Sequence, residues 1–361
     1  MRALLVVRPD AHAKPGGDLI HAERTATALR ALGAEADLVA TLAPDPRGYD
    51  VAHVFGVFEP ATARAQIDAL RAHGTPLALS PIWLDLRAFF ATVPMLERAL
   101  KARTILMAEA HLRIMHRHEP RLPWEGRVAR DADRRLAEQR ALVLQADILL
   151  PASEVEAYLY GERLRVARVP YVVAPLGVDD EAFAVERPPV RSGVLCAGRI
   201  EPKKNQAAML YALRDVDVDV TLVGSAYDER YLALCLRWAN ARTRFVEHAP
   251  HDDVVRMMAS AAVHAHPSWL ESPGLSSLEA AATGARIVTG DRGCEREYFG
   301  PDIDYADPAD PATIRAAVLR ALERGPRDRD DALERRLRAR TWRRTGEATL
   351  EAYARAVAAH R

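Results

Sequence analysis

Two carboxylates, Glu271 and Glu279, bracket a loop that runs into a helix in the stretch His266-Pro-Ser-Trp-Leu-Glu-Ser-Pro-Gly-Leu-Ser-Ser-Leu-Glu279. Val263 to Ala265 is a short apolar run that reads as the end of a buried strand. Pro273-Gly274 punctuates the loop, Leu275 to Thr283 reads as helix, and Gly284 stops it. Glu271 then lies in the loop and Glu279 about one turn into the helix. The amides near Gly274, Leu275 and Ser276 have no intrahelical acceptor. With the helix dipole, such amides favour an anionic or hydroxyl-rich ligand. Gly274 has no Cβ, so a ligand can approach the backbone. This combination suits a phosphate next to a polyol, with amides for the first and carboxylates for the second. The plainer reading makes Glu271 a surface loop residue and Glu279 a solvated helix residue, the usual situation for glutamate.

A second constellation, Gly198-Arg-Ile-Glu-Pro-Lys-Lys-Asn205, also follows a strand and precedes a helix. The arginine of this loop, Arg199, offers a bidentate fork and its lysines, Lys203 and Lys204, a point charge, a combination able to grip a diphosphate. The chain has only four lysines, Lys14, Lys101, Lys203 and Lys204, so two adjacent ones in this loop imply a need for an ammonium group. A merely basic loop fits poorly, because the positive end of a helix dipole disfavours cations.

The elements that must position these groups follow a βα rhythm. Ala3–Val7 reads as a strand buried on both faces; the loop with Gly16 and Gly17 and a helix over Leu19–Leu32 follow it. That unit opens a doubly wound sheet, whose ligands gather at the carboxyl ends of strands, although a Gly-Gly pair is more often a plain turn. Strands are expected at Asp37–Ala40, Val51–Phe55, Leu77–Leu79, Ile148–Leu150 and Arg168–Val173, with a helix over Pro60–His73. Pro94 to about Ala146 reads as a long Arg-rich helical region, containing His111, His116 and His118 and broken into two helices by Pro120 and Pro123. A solvated face is its simpler reading, and a membrane-docking face the alternative. Ser153 is a candidate helix cap, with Glu156 at its third helical position.

The interdomain link is expected within Ala174–Asp179 and Glu186–Pro189, after which the rhythm restarts. It gives strands at Gly193–Ala197, Val218–Val223, Thr243–Val246, Ala262–Ala265 and Arg286–Thr289, with helices between them. Asp328–Arg340 reads as a charge-dense helix or tether. A final helix, Trp342 to Ala359, has an apolar stripe of Trp342, Leu350, Tyr353 and Val357 that must dock somewhere. The 361 residues therefore read as α/β, two Rossmann-like domains facing a cleft. Lys plus Arg equals Asp plus Glu, so charge does not point to nucleic acid. Cys196, Cys235 and Cys294 are scattered and odd in number, which reads as reduced and cytosolic rather than a disulfide framework. No apolar run is long enough to span a bilayer.

Together these motifs resemble the retaining GT-B glycosyltransferases of family 4, the "group 1" type, over most of the chain. The Glu271-x7-Glu279 motif with Pro-Gly-Leu inside it is the most specific match, then Gly198-Arg199…Lys204. Gly16-Gly17, Ala146-Asp147…Ser153, Pro175-Leu-Gly-Val-Asp179 and the closing helix are weaker ones. The Gly198–Gln206 run and Gly293–Phe299 look like bacterial members that build surface polysaccharides.

The resemblance implies an acceptor-side domain over 1–175 plus a C-terminal helix 341–361 that crosses back to it, and a donor-binding domain over 176–340. Arg199 and Lys204 would neutralise the diphosphate of a nucleotide sugar, which is also the leaving group. Glu271 would bind hydroxyls of the transferred sugar beside the Gly274 and Leu275 amides, with Gly198 and Ser276 near the donor. Glu279 would take the ribose hydroxyls, and Val246 and Glu247 would lie near the base. Gly16 and Gly17 would approach phosphates or acceptor. Such enzymes need neither a cofactor nor a metal. Asp215-Val-Asp-Val-Asp219 has the Asp-x-Asp spacing that holds Mn²⁺ in the other glycosyltransferase fold, but here it runs into a strand and reads as its polar start. Many members carry a His-Asp pair in a first-domain loop where this chain has Trp83 and Asp85; Asp85 is then the acceptor-side polar candidate, and His111 could reach the cleft instead. Trp83 and Trp269 could stack on sugar rings or pack in the core.

The expected partners are a nucleotide-sugar donor and a glycan or lipid-linked acceptor. Peripheral contact with the inner face of the cell membrane through 94–146 is the further expectation. A nucleotide-sugar 2-epimerase of the same fold and a catalytically inactive nucleotide-sugar-binding subunit are the alternatives. The epimerase should lack the Arg199/Lys204 pairing with Glu271/Glu279, and the inactive subunit should have lost Lys204 or Glu271.

Overall fold

The computed structural model describes residues 1–83, 85–102, 104–115 and 125–360; the side chains of 112–115 and 125–130 are also outside the description. The expectations placed on His116, His118, Pro120 and Pro123 lie outside the described residues. The chain forms two compact units: 1–85 with 131–177 and 340–361, and 86–130 with 178–339.

The first unit holds a parallel sheet of β1 (Arg2–Val7), β2 (Glu35–Ala40), β3 (Val51–Phe55), β4 (Leu77–Ser80) and β5 (Ile148–Leu149), in the order β2-β1-β3-β4-β5. Strand order reverses between β1 and β3, one of the two common doubly wound arrangements. Ala3 to Val7 and all of β3 and β4 are buried, as continuous apolar runs under helices on both faces require. Arg168–Val173, read as a strand, makes only an isolated bridge at Tyr171 to Leu149. Bonds from the Leu149 amide to Pro170 and from the Val172 amide to Leu149 flank that bridge, and Pro170 has no amide with which to extend the ladder. Ser153 does cap the helix Glu154–Leu159: its hydroxyl accepts from the Glu156 amide at 2.9 Å, while Glu156 Oε2 accepts from the Ala152 amide at 2.6 Å.

The final helix, Trp342–Ala359, belongs to this unit and docks through part of the expected stripe: Tyr353 is buried, Leu350 and Val357 pack half-buried against the core, and small residues complete the face. Thr345, Gly346, Thr349, Ala352, Tyr353 and Ala356 are the buried residues. Small residues allow a close approach to the helix Gly17–Ala31: a Cβ on Gly346 would stand 2.9 Å from the Ala28 Cβ. Tyr353 fastens the helix to the sheet. The Ser80 hydroxyl donates to the Leu150 carbonyl at 3.2 Å, so it accepts from His53 Nε2 at 2.9 Å, and His53 Nδ1 accepts from the Tyr353 hydroxyl at 2.8 Å.

The second unit holds a parallel sheet of β6 (Ser192–Ala197), β7 (Val220–Val223), β8 (Thr243–Val246), β9 (Ala261–His266), β10 (Arg286–Thr289) and β11 (Asp304–Tyr305). The order is β11-β10-β9-β6-β7-β8, the dinucleotide-fold order, with its reversal between β6 and β9. β7 starts at Val220, later than expected. Asp217 and Asp219 pair with Arg242 at 3.1 and 2.8 Å, and Asp215 pairs with Arg315.

The region read as one long helical stretch is distributed differently. A helix over Arg87–Lys101 carries Pro94 in its interior rather than starting there, and a further break before Ile105–Met115 adds a helix to the expected pair. Leu96, Ala99, Ala102 and Ala108 enter the core of the second unit beside Met209, Leu213 and Tyr231. Arg237 donates to the Ala102 carbonyl at 3.0 Å, and the Tyr211 hydroxyl to Glu109 at 2.9 Å. Residues 86–130 therefore cluster with the second unit rather than the first. Among the described residues no helix is long and apolar enough to cross a membrane.

Candidate functional site

In the second unit the loops after β6 and β9 meet at the reversal of strand order, where open α/β sheets place their ligands. Gly198 leaves β6 at φ +145°, and a Cβ there would lie 3.2 Å from the His266 ring. Gly224, after β7, is still more constrained, because its Cβ would fall 2.2 Å from the Gly198 carbonyl. The two glycines let the strand ends close up so that the next side chains share one crevice. Pro202–Lys204 forms a single 3₁₀ turn, Asn205 turns left-handed at φ +62°, and the helix Gln206–Leu213 follows. Asn205 holds the turn down by donating to the carbonyls of Pro267 and Pro308 at 3.1 and 2.8 Å.

This turn delivers the Lys204 ammonium to Glu271, Nζ to Oε1 at 2.6 Å, with both side chains mostly shielded from solvent. Burial alone would push the Glu271 carboxyl up. The Lys204 charge, then His266, overcome it and hold the group down at about 2. Lys203, the other lysine of the pair, braces the loop instead. Its carbonyl accepts from the Trp269 amide at 2.9 Å, and its Nζ lies 3.4 Å from Glu201. Arg199 also faces Glu201, at 3.6 Å. Glu201 thus gathers the Arg199 and Lys203 charges beside Lys204.

Gly274 precedes the helix Leu275–Ala282 at φ +87°, with its missing Cβ turned toward Glu271. The first intrahelical bonds reach back from Ser277 and Leu278 to the Gly274 carbonyl. The Leu275 and Ser276 amides therefore stand at the open end of the helix, as the spacing implied. Glu279 lies one turn on, 3.8 Å from His251 Nε2, and Asp179, His251 and Glu279 have ligand atoms within 4.8 Å of one another. Val246 ends β8, its carbonyl taken by the Gly224 amide at 2.9 Å, and Glu247 is exposed beyond it. That strand is two removed from β6, roughly 10 Å across the sheet edge.

Two residues stand here that the motifs did not single out. His266 is the last residue of β9 and is 1% exposed. Its Nε2 lies 3.5 Å from Glu271 Oε1 and its Nδ1 lies 3.3 Å from the Ser276 hydroxyl. The signal for it was the His264-Ala-His266 alternation, which puts an imidazole at the carboxyl end of a buried strand. Glu295 is fully buried, and its Oε2 accepts from the Gly293 amide at 2.8 Å. Burial, with Glu271 adding to it, raises the Glu295 carboxyl to about 8. No periodicity announces it, because it enters the core from a short helix, Glu295–Phe299, that follows a loop.

The acceptor-side candidates fall in two places. Gly16 caps the helix Gly17–Ala31, and Arg8, bonded to Asp10 and Asp18 at 2.7 and 2.8 Å, shapes the loop before it. Asp85 lies 3.7 Å from Arg163. Trp83 is 4% exposed, donates from Nε1 to Gln139 at 2.9 Å and packs on Tyr160, so its ring has no face for a sugar. Trp269 is as buried, with Phe89 and Arg292 against it, which is the core-packing alternative of its two readings. His111 sits on a helix of the second unit, not the first, and its Nδ1 donates to the Met107 carbonyl at 2.6 Å.

Residues 179–340 match the family described as glycosyl transferases group 1. The chain is 27% identical over 205 residues to an MMP alpha-(1→4)-mannosyltransferase of Mycolicibacterium hassiacum, covering 52% of this chain and 48% of that protein. The chain spans about half the length of the curated relatives it matches. Its structure resembles a sucrose-phosphate synthase of Thermosynechococcus elongatus, with TM-score 0.64, 16% identity and 99% and 97% of the two chains covered. It also resembles Anabaena HepE in complex with UDP-glucose, with TM-score 0.61, 14% identity and 100% and 97% covered. The chain thus has the α/β architecture of the GT-B glycosyltransferases, and the group 1 match falls on the unit that holds Lys204, Glu271 and Glu279.

Proposed function

We propose that the protein is a retaining glycosyltransferase that moves a sugar from a nucleotide diphosphate sugar to a hydroxyl acceptor. The observation that carries this reading is the shielded Lys204–Glu271 pair, 2.6 Å apart at the reversal of strand order and next to the open helix end at Leu275. A cation, a carboxylate and free amides within one crevice match the three chemical parts of such a donor. In this reading Lys204 and Arg199 take the diphosphate, the Leu275 and Ser276 amides assist, and Gly198 and Gly274 allow close approach. Glu271 takes hydroxyls of the sugar, Glu279 those of the ribose, and the Val246–Glu247 segment borders the base. The resemblance of residues 179–340 to a transferase family and of the fold to a UDP-glucose complex supports the donor class.

The acceptor oxygen attacks the anomeric carbon on the face that the phosphate leaves. The bond to the phosphate oxygen breaks, that oxygen takes the acceptor proton, and the products are a glycoside with unchanged anomeric configuration and a nucleoside diphosphate. Stabilising the departing charge is then most of the catalysis, and Arg199 with Lys204 supplies it without a metal. The mannosyltransferase relative, whose name records an alpha linkage, supports an alpha-linked product. Gly16, Gly17 and Asp85 we assign to the acceptor. A glycan or lipid-linked acceptor in bacterial surface polysaccharide synthesis, at the cytosolic face of the membrane, is supported by the sequence resemblance. The exposed Ile105, Leu106 and Met107 support membrane contact within 94–146.

The test is a transfer assay in excess EDTA, with product configuration read by NMR. An α-linked product from an α-linked donor is expected; inversion, or a strict need for metal, contradicts the mechanism.

A further inference from the structure

The donor-site reading gives His266 no part, yet this residue is built into the floor of the crevice. Its ring is 1% exposed and lies against Gly198, the Ser276 hydroxyl and Glu271. Nε2 is buried with no hydrogen-bond partner, aimed at Glu271 Oε1 from 3.5 Å. A carboxylate only accepts, so the tautomer that serves Glu271 carries its proton on Nε2, with Nδ1 accepting from the Ser276 hydroxyl; a hydrogen bond to the Ala197 backbone also holds the ring. Burial, then the Lys204 charge, holds the imidazole down to about 4, so it stays neutral. Glu271 Oε1 therefore faces the Lys204 ammonium, engaged at 2.6 Å, and the imidazole, held in reserve at 3.5 Å, while the Ser268 hydroxyl also acts on the carboxylate.

The reserve donor matters when ligand binds. An incoming diphosphate competes with Glu271 for the Lys204 ammonium. The Ser268 hydroxyl alone would then anchor Glu271, one neutral donor in place of an ammonium, at the moment it must orient the sugar. We propose that His266 is a positioning residue that takes over Glu271 Oε1 as Lys204 turns to the diphosphate, leaving Oε2 aimed at the hydroxyls of the transferred sugar. Ser276 fixes the imidazole so that its Nε2 proton points the right way. This rests on the donor-site reading, and its consequence is specific. His266 governs recognition of the sugar and not of the nucleotide.

Calorimetry on the full chain separates the two. The probes are UDP, GDP, dTDP and ADP, and the glucose and galactose conjugates of whichever binds. Wild type is expected to bind one diphosphate and to prefer one of the C4-epimeric sugars. His266→Leu should keep the diphosphate affinity within twofold. Its preference between the epimers should fall about tenfold, the value of one hydrogen bond to a charged group. His266→Gln, which retains a donor near the Nε2 position, should recover most of the preference. An unchanged epimer preference in His266→Leu would overturn the proposal, as would an equal loss for diphosphate and sugar conjugates, which marks general damage to the site. If wild type binds no diphosphate, the donor-site reading itself is overturned and this role goes with it.

Discussion

Replacing Lys204 by Met keeps the length of the side chain and removes its charge, which isolates what the ammonium does for Glu271. Glu271 titrates at about 2 instead of its ordinary 4.5; at about 1.4 kcal/mol per pH unit that gap is worth about 3 kcal/mol. Removing one partner of a buried pair has a cost of the same order, about 3–5 kcal/mol. The pH dependence follows from the depressed value. In wild type the contribution is complete above 4.5, where the unfolded carboxyl is charged, and is lost as pH falls toward 2. In Lys204→Met burial acts on Glu271 against weaker partners, the His266 imidazole and the more distant Lys203 charge, so its carboxyl rises and its charged form is less well stabilised at pH 7. The difference between the proteins is therefore largest near pH 7 and shrinks on acidification. Urea unfolding of the full chain from pH 7 to pH 4 measures it, and the double variant Lys204→Met/Glu271→Gln should recover at least half of the loss. A single variant within about 1 kcal/mol of wild type at pH 7, or a loss that does not change with pH, would refute the argument.

Two further outcomes are expected. On the proposed donor-site reading, Arg199→Ala, which removes the cation 3.6 Å from Glu201, should lower turnover about a hundredfold or more while the protein stays folded, as steady-state rates and circular dichroism would record. Tyr353→Phe leaves His53 Nδ1 buried without its donor at the sheet of the first unit and should destabilise that unit by about 1–3 kcal/mol, read by urea unfolding.

What the sequence made legible follows from which forces are local. β3, β8 and β10 begin and end where the apolar runs said, and Trp342–Ala359 has the bounds its sequence pattern implied. The Glu271 loop, Gly274 and the helix after it were readable because glycine, proline and an apolar run each act over a few residues. The docking face of the last helix was legible only in part, through Tyr353, Leu350 and Val357. Large apolar residues drew attention to these and to Trp342, whereas the approach to Gly17–Ala31 selects small ones such as Gly346. The allegiance of Arg87–Lys101 was invisible for a related reason: Leu96 and Ala99 fit a core made by residues more than a hundred positions away, such as Met209. Glu295 escaped notice because a buried polar group is defined by its surroundings and no spacing rule encodes those, whereas the strand alternation places His266 at the crevice without showing which groups it meets there. Trp83 shows the converse, since an aromatic in a promising loop turns out to have its indole proton committed to Gln139.

The central claim is that the crevice between β6 and β9 is a donor site whose affinity for phosphate comes from Lys204. Its most direct test is calorimetric titration of wild type and Lys204→Met with UDP, GDP, dTDP and ADP, without metal. The account predicts that wild type binds one of these nucleotides selectively and that the variant, still folded, binds it at least about tenfold more weakly. Equal affinity in the two proteins would contradict the account.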